Sequence, residues 1–223
     1  MTADHLHQVV PELRIDSWRF DLPTRPHYGC RMPVHAEDAL MTETAAYDPL
    51  LRWIHWITAA LFIAAMLIGL YCGLQPAGTS PRRELLDVHK SLGVTLFLLA
   101  ILRVMVRART TAPPEPASFG PMVRLASRLN HWALYLVLLA MPFTGYMSSS
   151  AGGYSLRYFG LFSWPRLFAG DKAIAHAGEV SHETLAYLVY AAVALHILAT
   201  LWHALAKKDE TLARMWPGAG TPR

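Results

Sequence analysis

The sequence predicts an all-α membrane protein, a four-transmembrane-helix up-down bundle, on three observations. Hydrophobic residues make up 53% of the 223 residues and charged residues only 16%, against roughly 25% charged in soluble domains. Four runs close to the roughly 20 residues that cross a bilayer carry no charge, or charge only near their ends. Between them lie segments rich in Pro, Gly, Ser and Thr, as connectors are.

Residues 1–46 are polar, rich in Pro and His, and lack both an apolar period and the apolar core of a signal peptide. They are expected to form a disordered extension, with Met41 of MTETAAYDPLLRWIHW as the start of the compact protein. The transmembrane domain is expected over 47–210 and a cytoplasmic tail over 211–223. The first span is WIHWITAALFIAAMLIGLYCG, residues 53–73, and GLQPAGTSPRRELLD leads to the second, residues 88–106. The proline-rich ARTTAPPEPASFGPMVR leads to the third, residues 129–147, in which Pro142 is expected to kink the helix. The longest connector, 148–181, holds YFGLFSWPRLF, aromatic but too short to span, which suits a membrane interface. Asp171 is the expected N-cap of a helix that enters the fourth span, residues 185–205.

With four spans both termini share one side. That side holds ten Lys and Arg outside the extension, including Arg52, Arg103, Arg107, Arg124, Arg128, Lys207 and Lys208. The other side holds six: Arg82, Arg83, Lys90, Arg157, Arg166 and Lys172. The positive-inside rule therefore puts both termini in the cytoplasm. Basic residues at membrane edges account for the net charge of +4, so no nucleic-acid partner is expected.

Ionisable side chains inside a membrane are costly and mark functional sites. The fourth span carries His182, His196 and His203, at offsets of 14 and 7 that return to one helix face. Orientation gives each histidine a depth. His55 is near the inner face and His89 near the outer; His182 opens the fourth helix at the outer side, and His196 lies in the inner half. Two levels result, His89 with His182 and His55 with His196, about 21 Å apart along the fourth helix.

Two imidazoles facing across a bundle suit a six-coordinate heme iron. Ligation also removes the cost of burying the polar rings. Gly69 and Gly93 offer flat space, and Arg52 and Lys90 stand beside their histidines as cations for heme propionates. Cys30 and Cys72 form neither a paired metal motif nor a C-x-x-C-H attachment motif, so any heme is expected to be held noncovalently. One histidine in an apolar helix is more often a hydrogen-bonded core residue; four at matched depths depart from that. A proton relay or metal transporter would want Asp or Glu in the spans, and zinc would want three or four ligands at one depth.

The chain resembles the bacterial cytochrome b561 family over nearly all of residues 47–217. The resemblance rests on RWIHW (52–56), HKSLGVTLFLLAILRVMVR (89–107), NHWALYLVLLAMPFTGYMSSSAGG (130–153), FGLF (159–162), HETLAY with a second histidine 14 later, and KKDETLARMWPG (207–218). It implies a multi-pass diheme cytochrome of the bacterial inner membrane, with His55 and His196 holding one heme and His89 and His182 the other. One branch of that family oxidises superoxide and reduces ubiquinone; His203 matches a histidine of that branch near the quinone. His131 falls on a family-typical position, either at a quinone or as an interfacial histidine bonded to a neighbouring carbonyl.

The functional expectation is a carrier of electrons between a small donor and ubiquinone, with superoxide as the attractive donor; the chain would then be a superoxide:ubiquinone oxidoreductase. The outer cations would steer that anion, although Glu84, Asp87, Asp171, Glu179 and Glu183 nearly cancel them. The alternative is a quinone-linked anchor subunit for a dehydrogenase, a hydrogenase or a soluble cytochrome. A transporter without redox activity is the third class, and a reduced-minus-oxidised spectrum separates it from both.

Overall fold

The computed structural model describes residues 46–116 and 118–218. The expectations for the extension, with Met41 and Cys30, and for residues 219–223 of the tail lie outside the described residues. Among the described residues, four helices are long and apolar enough to cross a membrane, as the sequence predicts.

Helix α1, Pro49–Leu74, starts where Asp48 accepts from the amides of Leu50 and Leu51 and Pro49 supplies a preset φ. Helix α2, Ser80–Arg109, begins after the turn at Gly78, whose φ of +83° favours glycine. Helix α3, Pro121–Ala151, runs through Pro142 without interruption. Helix α4, Lys172–Trp202, is capped by Asp171, as expected, with its carboxylate accepting from Ala173 and Ile174. At 1.5 Å per residue the shortest, with 26 residues, is about 39 Å long, more than the roughly 30 Å of hydrocarbon. Helix α4 begins 13 residues before the span read from hydropathy, so its first turns stand above the apolar band.

The closest helix packings are α3 on α4, α1 on α2 and α2 on α3. A core of Ala65, Leu92, Leu96, Ala100 and Leu138 joins the first three helices. Small residues set these approaches, as van der Waals packing in lipid favours. A Cβ on Gly178 would lie 2.6 Å from the Ser148 amide nitrogen, so glycine lets α4 touch α3 there. Large apolar side chains such as Leu67, Leu136, Leu195 and Leu198 point outward, the arrangement suited to lipid.

The aromatic connector folds into a small antiparallel hairpin, β1 Leu156–Tyr158 and β2 Phe162–Trp164, with Tyr158 opposite Phe162. Its turn takes positive φ at Phe159 and Gly160. Ser91, fully buried, ties the hairpin to α2 by donating to the Arg157 carbonyl and accepting from the Phe159 amide. After α4 the chain makes a π-turn at His203–Lys207, a left-handed residue at Lys208 and a 3-10 turn at Ala213–Met215. That last turn crosses the N-terminal end of α1. The Arg214 backbone carbonyl accepts from the Tyr47 amide, Arg52 donates to the Trp216 carbonyl at 3.0 Å, and Trp56 donates to the Met215 carbonyl at 2.8 Å.

Candidate functional site

The structure brings the four histidines together in two pairs. His89 on α2 faces His182 on α4 with ring centres 6.2 Å apart and planes at 86°. His55 on α1 faces His196 on α4, also at 6.2 Å, with planes at 68°. Each helix carries two interior positions 14 residues apart: His55 and Gly69, His89 and Arg103, His131 and Gly145, His182 and His196. That offset keeps one face and separates the levels by about 21 Å.

At the level of His89 and His182, expected from the sequence to be the outer one, both rings are fixed in the same way. His89 Nδ1–H donates to the Ala65 carbonyl at 2.8 Å, and its ring lies over Gly69, one turn on. His182 Nδ1–H donates to the Met141 carbonyl at 3.0 Å, and its ring lies over Gly145, again one turn on. A Cβ on Gly69 would come 2.9 Å from His89 Cε1, and one on Gly145 would come 3.0 Å from His182 Cε1. Only glycine leaves each ring its place. The carbonyl fixes the tautomer and leaves Nε2 with its lone pair, the arrangement of metal-ligating histidines.

The level of His55 and His196, expected to be the inner one, is more polar. Arg103 Nη1 donates to His55 Nδ1 at 2.7 Å, and its Nε donates to the Tyr135 hydroxyl at 3.2 Å. Because arginine only donates, His55 here accepts at Nδ1 and carries its proton on Nε2. Ligation through Nε2 therefore requires that proton to leave or Arg103 to release Nδ1. His131 on α3 lies 5.5 Å from the His196 ring and donates to the Ser127 carbonyl at 2.6 Å. That bond is the neighbouring-carbonyl arrangement, and it sets His131 beside the inner pair.

The donor sets fit a six-coordinate iron. Two metal–nitrogen bonds of about 2.0 Å plus roughly 1.1 Å from each nitrogen to its ring centre give roughly 6.2 Å between ring centres, and the observed separation is 6.2 Å at both levels. A cluster of three or more His, Cys, Asp or Glu that would hold a bare metal ion does not occur among the described residues.

The remaining expected residues have defined places. Arg52 is buried at 1% exposure, with its Nη1 on the Trp216 carbonyl. Lys90 lies over the Tyr154 ring at 5.5 Å, in the outer connector. Gly93 has open space: a Cβ there would meet nothing within 4 Å. His203 stacks on Phe119 at 4.8 Å and pairs Nδ1 with Asp209 Oδ2 at 2.5 Å. Burial works against the Asp209 carboxylate, but hydrogen bonds from Thr211 and His203 more than offset it and hold its pKa below the ordinary value. Sequence reasoning counted Arg103 as an inner-edge cation and missed its contact with His55. Its offset of 14 from His89 was the available signal.

A multi-pass four-helix bundle with facing imidazoles at two depths has the form of a membrane b-type cytochrome. Residues 46–218 match the family model described as prokaryotic cytochrome b561, and the chain belongs to that family, whose members bind heme and serve electron transport. It is 33% identical over 161 residues to "Cytochrome b561 homolog 2" of Escherichia coli (strain K12), covering 72% of this chain and 86% of that protein. It is 30% identical over 171 residues to "Probable superoxide oxidase CybB" of Yersinia pestis, covering 77% and 96%. It is 30% identical over 170 residues to "Cytochrome b561 homolog 1" of the same E. coli strain, covering 74% and 93%.

Proposed function

We propose that the protein holds two b-type hemes and carries single electrons across the bacterial inner membrane, from superoxide at the outer face to ubiquinone at the inner face. The observation that carries this reading is the repeated 6.2 Å facing of His89 with His182 and His55 with His196. These four histidines would hold the hemes, and heme b would supply a one-electron iron couple at each level. The distribution of Lys and Arg supports a cytoplasmic location for both termini, with residues 47–210 as the proposed membrane domain and 211–223 as its tail.

The side chains supply orientation, dryness and proton handling. The carbonyls of Ala65 and Met141 hold the outer imidazoles edge-on to one another, and the apolar helix faces keep water from the interior. Each superoxide that gives up one electron becomes dioxygen; ubiquinone takes two electrons and two protons to become ubiquinol. At the inner end His203 keeps its Nδ1 proton on Asp209, and Nε2 is the atom that exchanges a proton with bound quinone. His131, next to His196, is the second quinone residue. Superoxide as donor is supported by a relative described as a probable superoxide oxidase and by the outer cations Arg82, Arg83, Lys90, Arg157, Arg166 and Lys172.

Purified protein should give two hemes per chain by pyridine hemochrome, both low-spin. In liposomes containing ubiquinone, enzymatically generated superoxide on the outer side should reduce them and yield ubiquinol. One heme or none defeats the ligand assignment; two hemes that superoxide does not reduce defeat the donor.

A further inference from the structure

The two levels use the same interior positions of the four helices but fill them with unlike chemistry. Beside the outer histidines stand Gly69 and Gly145; beside the inner ones stand Arg103 and His131. The Arg103 guanidinium is anchored twice, on His55 Nδ1 and on Tyr135, whose ring it also faces at 5.6 Å. Among the described residues no carboxylate bonds it. Of the acids at that end of the bundle, Glu115 is held by Arg124 and Arg128, Asp209 by His203, and Asp48 by the amides of Leu50 and Leu51. Arginine does not give up its proton in proteins, so this positive charge is permanent. The outer cation, Lys90, instead lies over the Tyr154 ring in the connector, and among the described residues no hydrogen bond ties it to His89 or His182.

Resting on the two-heme reading, we infer that Arg103 makes the inner centre the stronger electron acceptor, so that the bundle is polarised to pass electrons from the outer side to the inner. A fixed cation stabilises the centre that gains an electron, and in a low-dielectric interior that stabilisation is large. One electron leaves the outer centre, which is oxidised, and arrives at the inner, which is reduced. No bond forms or breaks, and no proton has to move. With His55 ligating through Nε2 and its proton moved to Nδ1, Arg103 gives up that anchor, and the Tyr135 hydroxyl, which accepts from its Nε, keeps the charge in the layer.

A potentiometric titration of the intact protein, followed in the visible band, tests this. The His89→Ala variant identifies the inner contribution, because it removes the outer pair. In the unaltered protein the inner component should be reduced first. In Arg103→Gln the ratio of inner to outer occupancy at half reduction should fall roughly tenfold or more, whereas Arg103→Lys, which keeps the charge, should preserve the order. An outer component that is reduced first in the unaltered protein overturns the inference, and so does an unchanged ratio in an Arg103→Gln protein that binds both hemes. If Arg103→Gln does not retain heme, the order in the unaltered protein and in Arg103→Lys still decides. A protein with fewer than two hemes would instead defeat the proposed function, and the heme count shows this before any titration.

Discussion

Replacing Gly69 by alanine puts a methyl group 2.9 Å from His89 Cε1, where an ordinary carbon contact begins at about 3.5 Å. The ring has to retreat by roughly 0.6 Å. It cannot do so freely, because Cε1 lies between Nδ1, bonded to the Ala65 carbonyl at 2.8 Å, and Nε2, the proposed ligating atom. Overpacking of this kind costs about 1–3 kcal/mol. Charged against the outer heme, that is roughly a 5- to 150-fold loss of affinity. Gly145→Ala should act alike, since its Cβ would meet His182 at 3.0 Å. Gly73→Ala is the matched control: it lies one turn further along α1 with nothing within 4 Å, and should gain about 0.5–1 kcal/mol from helix propensity. Heme per protein by pyridine hemochrome, with electron paramagnetic resonance of the low-spin signals, reads the result. The expected outcome is selective loss or broadening of the outer signal with the inner one intact. If Gly69→Ala and Gly145→Ala keep two hemes as tightly as Gly73→Ala does, the notch argument is wrong.

Removing His196 should cost only the inner heme, leaving the outer one low-spin and still reducible from outside; loss of both from an inserted bundle refutes two independent levels. Reduction by superoxide should slow as salt rises, because the field of the outer cations is screened over roughly 8 Å at physiological ionic strength; a salt-independent rate counts against steering. Asp209 has a depressed folded pKa, so its stabilising contribution is present above the unfolded value of about 3.9 and is lost as pH falls through the lower folded value. The melting difference between unaltered protein and Asp209→Asn should therefore hold from about pH 8 to about pH 5 and shrink only in stronger acid. A difference that vanishes near neutrality would mean that His203, not the carboxylate, governs the contact.

What the sequence made legible was whatever repeats along one helix. Hydropathy gave the four spans, side-chain type gave the Asp171 cap, and the 14-residue offset gave two depths. Depth alone then predicted which histidines face each other, and the structure has His55 opposite His196 and His89 opposite His182. Contacts between distant segments were not legible. Nothing local to Arg52 says that it holds the Trp216 carbonyl, 164 positions away, and the hairpin depends on Ser91 of another helix for its anchorage. Gly69 was read as room for a flat ring; it makes room for His89 instead. The pairing of His203 with Asp209 needed the π-turn and the left-handed Lys208 to bring the two together, and a straight continuation of α4 would have kept them apart.

The tail crossing the inner end of α1 has a consequence for how the protein is made. Trp56 leaves the ribosome about 160 residues before Met215 and Trp216, its partners, roughly 8 to 32 s earlier at ordinary rates of synthesis. Until then the Trp56 indole and the Arg52 guanidinium have none of their tail acceptors. The same delay applies inside the bundle, because each pair draws its second imidazole from α4, the last span inserted. A nascent chain paused before α4 holds His55 and His89 with neither partner. With these histidines as the proposed heme ligands, cofactor loading would be a late event in biogenesis, and a ribosome stalled ahead of residue 182 should carry a membrane-inserted chain that cannot take up heme between two histidines at either depth.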